Sequence, residues 1–402
     1  MKVLFLCGVF AKENENEIIA SAKKPIEYSA NLFQEKTIQG FSQCDCKLKV
    51  LSAPFIGSYP NASSIKSFKG FSTAQDKYNY VRFNNIWGIR NISRAKSLKK
   101  AIHSFAREND DKMIVIYSPH TPFLEAASYA KKLDPTIRIC LVVPDLPQYM
   151  NLNKNVSLIY RWGKKLDIKK FNRLSKRIDS YMLLTENMKD KLAVGNKPYI
   201  VVEGIIGNNV DTLSNEDNVH GFSDKKTIVY TGKLNAKFGV KNLVDAFSLI
   251  EDSECSLVLC GKGDVEEYAM SKSAQDNRIM CLGQVTPRVA GEWIKKATVL
   301  VNPRQNNEEY TKYSFPSKNI EYLLSGKPVV AYMLDGMPSI YRDFIYTVNN
   351  DSVEALAESI KSALNVDREE HANRQERIYK YLEQLSADRI AEKIISITML
   401  EK

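Results

Sequence analysis

Eleven short apolar runs punctuate this chain, and stretches of helical period fill most of the intervals between them. In the first half the runs are KVLFLC (2–7), KLKVLS (47–52), KMIVIY (112–117), IRICLVV (137–143), SYMLL (180–184) and YIVV (199–202). In the second half they are TIVYT (227–231), CSLVLC (255–260), RIMCLG (278–283), TVLVNP (298–303) and KPVVAY (327–332). Nearly continuous apolar character marks strands covered on both faces, which belong to parallel sheets. Right-handed crossovers through helices such as 241–250, 286–296 and 352–364 then give doubly wound α/β domains. A chain of 402 residues exceeds one ordinary core and suits two. The polar stretch GNNVDTLSNEDNVHGFSDKK, 207–226, separates them. The expected domains are 1–206 and 207–384, followed by a helical tail at 385–402.

Apolar residues make up 44% and charged residues 26%, which excludes a disordered chain. No run of about 18 apolar residues occurs, so no transmembrane helix is expected. The segment 1–11 lacks a small-residue cleavage site and runs straight into KENENE, so it reads as a first strand rather than a signal peptide. Cys7, Cys140, Cys255, Cys260 and Cys281 lie in or beside strand runs and fit buried free thiols of a reducing compartment. Cys44 and Cys46 have no second pair at zinc spacing. The reading is a cytoplasmic protein, soluble or peripheral.

The net charge of +10 is uneven. Residues 154–177 hold nine basic residues against Asp167 alone, and a second basic run, Arg90, Arg94, Lys96, Lys99 and Lys100, spans 90–100. Leu166, Ile168, Phe171, Leu174 and Ile178 interleave with the first. That pattern fits a helix lying on an anionic membrane, and equally a solvated face over a buried helix. No nucleic-acid recognition motif accompanies it.

Residues 313–330, YSFPSKNIEYLLSGKPVV, form the most informative block. Pro316 suits the first position of a short helix, and Gly326 closes it. The amides of Ser317 and Lys318 would then point from a positive helix end, which favours a phosphate. Glu321 lies one turn further along the same face. Amides for phosphates and a carboxylate for ribose hydroxyls suit a nucleoside diphosphate. Ligands of open α/β sheets sit at the carboxyl ends of strands. There, Gly8 would let a ligand approach the backbone, and Arg304 could reach phosphates or a charged acceptor. Asp145 is a candidate for an acceptor hydroxyl, or equally an Asx-turn former.

The block 313–330 resembles the donor-binding signature of retaining family-4 glycosyltransferases, which have the two-domain GT-B fold. The variant S-F-P-S-K-x-x-E-Y-L-x-S-G-K-P looks like the sub-group that builds bacterial surface polysaccharides. The resemblance makes Glu321 the second Glu of the pattern and Phe315 its Phe, within a donor-binding set of Tyr313, Ser314, Phe315, Pro316, Ser317, Lys318 and Glu321. Tyr313 replaces the first Glu, which contacts the transferred sugar in the family; Glu308 or Glu309 is the candidate substitute. The segment from Gly232 is similar to the family's G-R-L-x-x-x-K-G, so Lys233 takes the position of the diphosphate-binding Arg. Phe238 stands at the family Lys position, with Lys237 one residue earlier. Gly261 matches a strand–G-x-G segment beside the base, and His120 a histidine near the transferred sugar, although a lone loop histidine is also an ordinary structural residue.

The resemblance implies two Rossmann-like domains facing a central cleft, the first for the acceptor and the second for the donor. The terminal helix would cross back to the first domain, and closure about the junction would exclude water. It implies transfer of a hexose or N-acetylhexosamine from a nucleotide diphosphate sugar to a glycan or lipid-linked glycan, with retention. No cofactor or metal is implied, since cations and a helix end serve the leaving group. Lys233, His120 and Glu321 would act at the reacting centre. A nucleotide-sugar epimerase or hydrolase, and a non-catalytic nucleotide-sugar-binding subunit, are the alternatives; the missing Glu favours the last.

Overall fold

The computed structural model of the chain describes residues 1–24, 26, 28–73, 77–148, 158–207 and 226–399. The junction from 208 to 225, basic-run residues 154–157 and the last three residues lie outside them. The chain divides into two compact units, one made of residues 1–207 with 385–402 and the other of residues 208–384.

The strands of the first unit are β1 (Lys2–Cys7), β2 (Lys47–Ser52), β3 (Ser67–Phe68), β4 (Phe71–Ser72), β5 (Tyr78–Tyr80), β6 (Phe83–Asn84), β7 (Lys112–Tyr117), β8 (Arg138–Val143), β9 (Ser180–Leu183) and β10 (Tyr199–Val201). Eight form one sheet in the order β10-β9-β8-β7-β1-β2-β5-β4, while β3 and β6 pair separately. All neighbours in the large sheet run parallel except β4 beside β5. Its described helices are α1 (Glu15–Ser21), α2 (Tyr28–Gln43), α3 (Arg90–Ala106), α4 (Thr121–Leu133), α5 (Leu158–Leu174) and α6 (Met188–Lys191).

The second unit contains β11 (Lys226–Thr231), β12 (Cys255–Cys260), β13 (Ile279–Gly283), β14 (Val299–Asn302), β15 (Val329–Ala331) and β16 (Tyr346–Thr347). They form a parallel sheet in the order β13-β12-β11-β14-β15-β16. Helices α7 (Val240–Ser248), α8 (Glu266–Ser273), α9 (Pro287–Lys296), α10 (Lys318–Leu324), α11 (Val353–Leu364) and α12 (Arg368–Leu382) surround it. The final helix, α13 (Ala387–Met399), belongs to the first unit. There the Ile206 amide donates to the Leu385 carbonyl at 2.9 Å. At the other end, the hydroxyls of Ser180 in β9 and Thr398 in α13 meet at 2.6 Å in the core.

All eleven apolar runs are strands, shifted by at most two residues at an end. Val3 to Cys7, Met113 to Tyr117 and Val299 to Val301 are fully buried, as strands covered by helices on both faces must be. The thiols of Cys7 and Cys140 are free and buried, and burial pushes them up to about 12 and about 11. No described helix is long and apolar enough to cross a membrane.

The basic runs need one correction. Arg94 is not a surface cation, because it falls on the buried stripe of α3 with Leu98, Ile102 and Phe105 and is 1% exposed. Helix α5 is mostly exposed; Trp162 is 67% exposed and Leu166 half-exposed, while Phe171 is buried. Lys170 and Lys99 both pair with Glu125 of α4.

Candidate active site

In the second unit, the loops after β11, β12 and β14 interlock. Gly261 has φ +145°, and a Cβ there would stand 1.7 Å from the Gly232 carbonyl oxygen, so only glycine permits this approach. The Gly232 amide donates to Cys260 (2.8 Å) and the Leu234 amide to Lys262 (2.9 Å). Asp264 accepts from the Ala236 amide at 2.8 Å, and the buried Tyr230 hydroxyl donates to the Lys233 carbonyl at 3.0 Å. This framework fixes the backbone that carries Lys233 and Lys237. Both side chains are exposed, and neither forms an ion pair with a described residue. The Lys237 ammonium lies 5.1 Å from the Phe238 ring centroid.

Helix α10 comes to the same strand end. The buried Tyr322 hydroxyl accepts from the Thr231 amide at 2.9 Å, tying the helix to the end of β11. Lys318 Nζ donates to Thr231 Oγ1 (3.1 Å) and to Glu321 Oε2 (2.9 Å). Glu321 is thus a half-exposed carboxylate oriented by a neighbouring ammonium. Neither Tyr322 nor the Lys318 side chain figured among the expected site groups. Their signal was spacing: Lys318 and Glu321 stand at i,i+3, and Tyr322 follows Glu321 on the inward face.

Two expectations for this block are corrected. Pro316 is not the first helical residue, because Lys318 begins the helix and Ser317 caps it; the Pro316 carbonyl instead accepts from the Asn319 amide at 2.8 Å. Phe315 is core rather than ligand contact, since its buried ring packs 5.0 Å from that of Tyr341. The Ser317 and Lys318 amides donate to no described residue. Tyr313 closes a 3-10 turn (Glu309–Tyr313) and is half-exposed. Glu308 is exposed just before that turn. Arg304, after β14, donates to Ser314 Oγ at 2.8 Å and lies 4.9 Å from the Tyr310 ring centroid and 5.8 Å from that of Phe238. Lys233, Lys318, Arg304 and Glu321 therefore gather around the end of β11. Cations of this kind suit a diphosphate.

In the first unit, Gly8, His120 and Asp145 line one cavity of about 520 Å³ at the carboxyl ends of β1, β2, β7 and β8. Gln34 and Asn31 of α2 hold the loop after β1, accepting from the Gly8 (2.8 Å) and Phe10 (3.0 Å) amides. The Phe55 ring covers Gly8 so closely that a Cβ there would lie 2.5 Å from it. It also meets the His120 ring edge-on, 5.5 Å between centroids. His120 caps α4, and Ser118 before it adopts φ +71°, a left-handed conformation held by the surrounding loop. Burial and the charges of Arg94 and Arg90 lower the His120 pKa well below the usual imidazole range, so the ring is neutral at pH 7. A second hollow of about 570 Å³ lies at the opposite strand ends, lined by Glu108, Lys112 and Asp134. Its charges pair within the protein, and it touches none of the expected site residues. Among the described residues no group of three or more His, Cys, Asp or Glu is placed to hold a metal.

Two parallel-sheet α/β units, each with its candidate groups at the carboxyl ends of its strands, define a GT-B-like fold. Residues 225–365 match the family described as Glycosyl transferases group 1, which covers most of the second unit. Several solved structures are similar over the whole length of the chain. Sucrose-phosphate synthase from Thermosynechococcus elongatus is 13% identical with a TM-score of 0.60, covering 98% of this chain and 97% of its own. The lipopolysaccharide outer core galactosyltransferase WaaB is 16% identical with a TM-score of 0.59, covering 99% of each chain. HepE from Anabaena, in complex with UDP and glucose, is 14% identical with a TM-score of 0.59, covering 100% of each. No curated protein matches the sequence at a significant level.

Proposed function

We propose that the chain is a retaining glycosyltransferase that moves a hexose or N-acetylhexosamine from a nucleotide diphosphate sugar to a polysaccharide or lipid-linked oligosaccharide, in bacterial surface polysaccharide synthesis. The observation that carries the reading is the cation set Lys233, Lys318 and Arg304 around the end of β11, with Glu321 oriented beside it. The group 1 match over the same unit and the UDP held by HepE support it.

In this reading the donor diphosphate lies against the Ser317 and Lys318 amides and the Lys233 and Lys318 ammonium groups. Glu321 accepts from the ribose hydroxyls. The acceptor oxygen bonds to the anomeric carbon on the face that the diphosphate leaves, and its proton passes to a donor phosphate oxygen. Lys233 stabilises the negative charge that grows on the diphosphate; fixed cations serve best where charge develops. No metal is needed for that role. His120, neutral, and Tyr313 would hydrogen-bond the transferred sugar, and Asp145 the acceptor. The first unit would hold the acceptor, and its basic helices α3 and α5 would rest on an anionic membrane surface on the cytoplasmic side.

The test is incubation of the purified chain with a panel of nucleotide sugars and a lipid-linked acceptor. Nucleotide release coupled to sugar on the acceptor, with unchanged anomeric configuration, is the expected result. Release without an acceptor would mark a hydrolase, binding without release a non-catalytic subunit, and an inverted product would overturn retention.

A further inference from the structure

Strands β14 and β15 run parallel and end side by side, Asn302 beside Ala331. Asn306 joins the two loops that leave them. Its side-chain oxygen accepts from the Asp335 amide at 3.2 Å and from Thr311 Oγ1 at 2.8 Å. Its side-chain nitrogen donates to Asp335 Oδ1 at 2.7 Å. A backbone amide demands the oxygen and a carboxylate demands the nitrogen, so the orientation of this side-chain amide is unique. Thr311 is 1% exposed and sits at the middle of the turn Glu309–Tyr313; its one hydroxyl proton is shared with the Glu308 carbonyl at 2.6 Å. Gly336 fits against the same turn from the other loop. A Cβ there would stand 2.7, 2.8 and 3.0 Å from the carbonyl oxygens of Thr311, Ser314 and Lys312, an approach that only glycine allows. The next residue reaches the donor helix: Met337 Sδ accepts from Nδ2 of Asn319, which is fully buried in the first turn of α10, at 3.8 Å. The loop after β15 therefore holds the turn bearing Tyr313 on one side and the helix bearing Lys318 and Glu321 on the other.

We infer that Asn306 is a positioning residue for sugar selection. Through Asp335 and the Gly336 contact it fixes where Tyr313 stands relative to α10, and so which sugar is accepted beyond a diphosphate held there. Sugars that differ at one hydroxyl are told apart only by a partner held within a fraction of an ångström, because a turn free to shift would satisfy either. The inference rests on the glycosyl-transfer reading of Tyr313 and Glu321, and Asn306 itself touches no ligand in it.

Exchanging the two residues tests it. Asn306→Asp together with Asp335→Asn reverses the bond but keeps it, whereas Asn306→Asp alone sets two carboxylates within hydrogen-bond distance and drives the loops apart. Asp335 has further interactions, so Asp335→Asn alone is the control. The full chain and these variants, with Asn306→Ala, are titrated calorimetrically with UDP, UDP-glucose, UDP-galactose and UDP-N-acetylglucosamine. Wild type is expected to prefer one sugar conjugate by about tenfold or more. Asn306→Ala and Asn306→Asp should bind UDP as wild type does but lose that preference. Asp335→Asn and the exchanged pair should keep it, and the exchanged pair also shows that the Asn306→Asp change is compatible with folding. A preference unmoved in Asn306→Ala or Asn306→Asp would overturn the inference. So would UDP weakening in step with its conjugates, an exchanged pair no better than Asn306→Asp alone, or a wild type that takes all three sugars alike. Each of these leaves UDP binding and the donor reading in place. UDP bound by no form would sink the donor reading and this inference with it.

Discussion

At the scale of single residues, Lys233 and Glu321 are assigned different tasks, and kinetics separates them. Lys233 is exposed and pairs with no carboxylate among the described residues, so its charge is available to a leaving group. Lys233→Ala is expected to lower kcat by about 100-fold, as loss of one charge-stabilising donor does, with a smaller change in donor affinity. Glu321→Ala should weaken donor binding by about tenfold with a smaller effect on kcat. Pre-steady-state kinetics and donor titration read the two apart; unchanged values in both variants would remove the site. A second residue-scale prediction concerns stability. Lys112, whose side chain is 1% exposed, pairs with Asp134 at 2.7 Å. That pair and Thr136 hold the Asp134 carboxyl down to about 2. Because the folded-state value is the lower one, the stabilisation is full above the unfolded value near 4 and is lost as pH falls through about 2. Asp134→Ala leaves the buried Lys112 ammonium with the Ala106 and Glu108 carbonyls but no counter-charge and should cost about 2 kcal/mol at pH 7. The difference from wild type should shrink in urea denaturation below pH 4. Arg94 shows how such positions escape a reading of charge alone. Its i,i+4,i+8 spacing with Leu98 and Ile102 placed it on the buried stripe, but its neighbours Arg90, Lys96, Lys99 and Lys100 made it look like part of a surface run.

At the scale of elements, legibility followed length and burial. Strands such as β1 and β12, six residues each and closed in on both faces, announce themselves as apolar runs. The pieces β3 to β6 and β16 are two or three residues long, half-exposed and mixed in polarity, so no periodicity marks them. Helix α10 was legible from Gly326 and the Lys-Pro that follows, but its start was displaced because Pro316 serves a turn ahead of the cap. The loop framework under Lys233 was legible only as scattered glycines; its interlocking depends on backbone contacts between loops about 30 residues apart. Gly261→Ala tests that framework. Its Cβ would collide with the Gly232 carbonyl, so the variant should lose about 2 kcal/mol of stability and most donor affinity. Normal melting with normal UDP binding would show the approach to be dispensable. Helices α3 and α5 yield another element-scale expectation. They expose Trp162 and Ile92, the latter 71% exposed, beside Lys96, Lys100, Lys165 and Lys169. The protein should co-float with phosphatidylglycerol vesicles and not with phosphatidylcholine ones. Replacing Lys165 and Lys169 by Glu should abolish flotation at low salt, since each basic residue near an anionic surface contributes about 1 kcal/mol.

At the scale of the whole molecule, the chain is not two beads in series. Residues 385–402 belong to the first unit, so the second is an insertion between two parts of the first. The helical tail was readable from its apolar period, with Ile390, Ala391 and Ile394 on one face, whereas its position depends on partners far away in sequence. Those partners are specific. The Ser180–Thr398 hydroxyl pair joins β9 to α13, and the Leu385 carbonyl receives the Ile206 amide just before the chain leaves the first unit. Deleting residues 385–402 therefore removes buried apolar surface and two hydrogen-bonding partners from the first unit, while the internal hydrogen bonds of the second stay whole. The truncated chain should show early unfolding of the first unit alone. Hydrogen exchange at Val3–Cys7 and Tyr181–Leu183 should accelerate by several orders of magnitude, while exchange at Ile228–Thr231 and Leu257–Cys260 stays as in the intact chain. UDP protection of the second unit should survive the deletion. Uniform acceleration in both sheets would mean that the two units fold as one cooperative body.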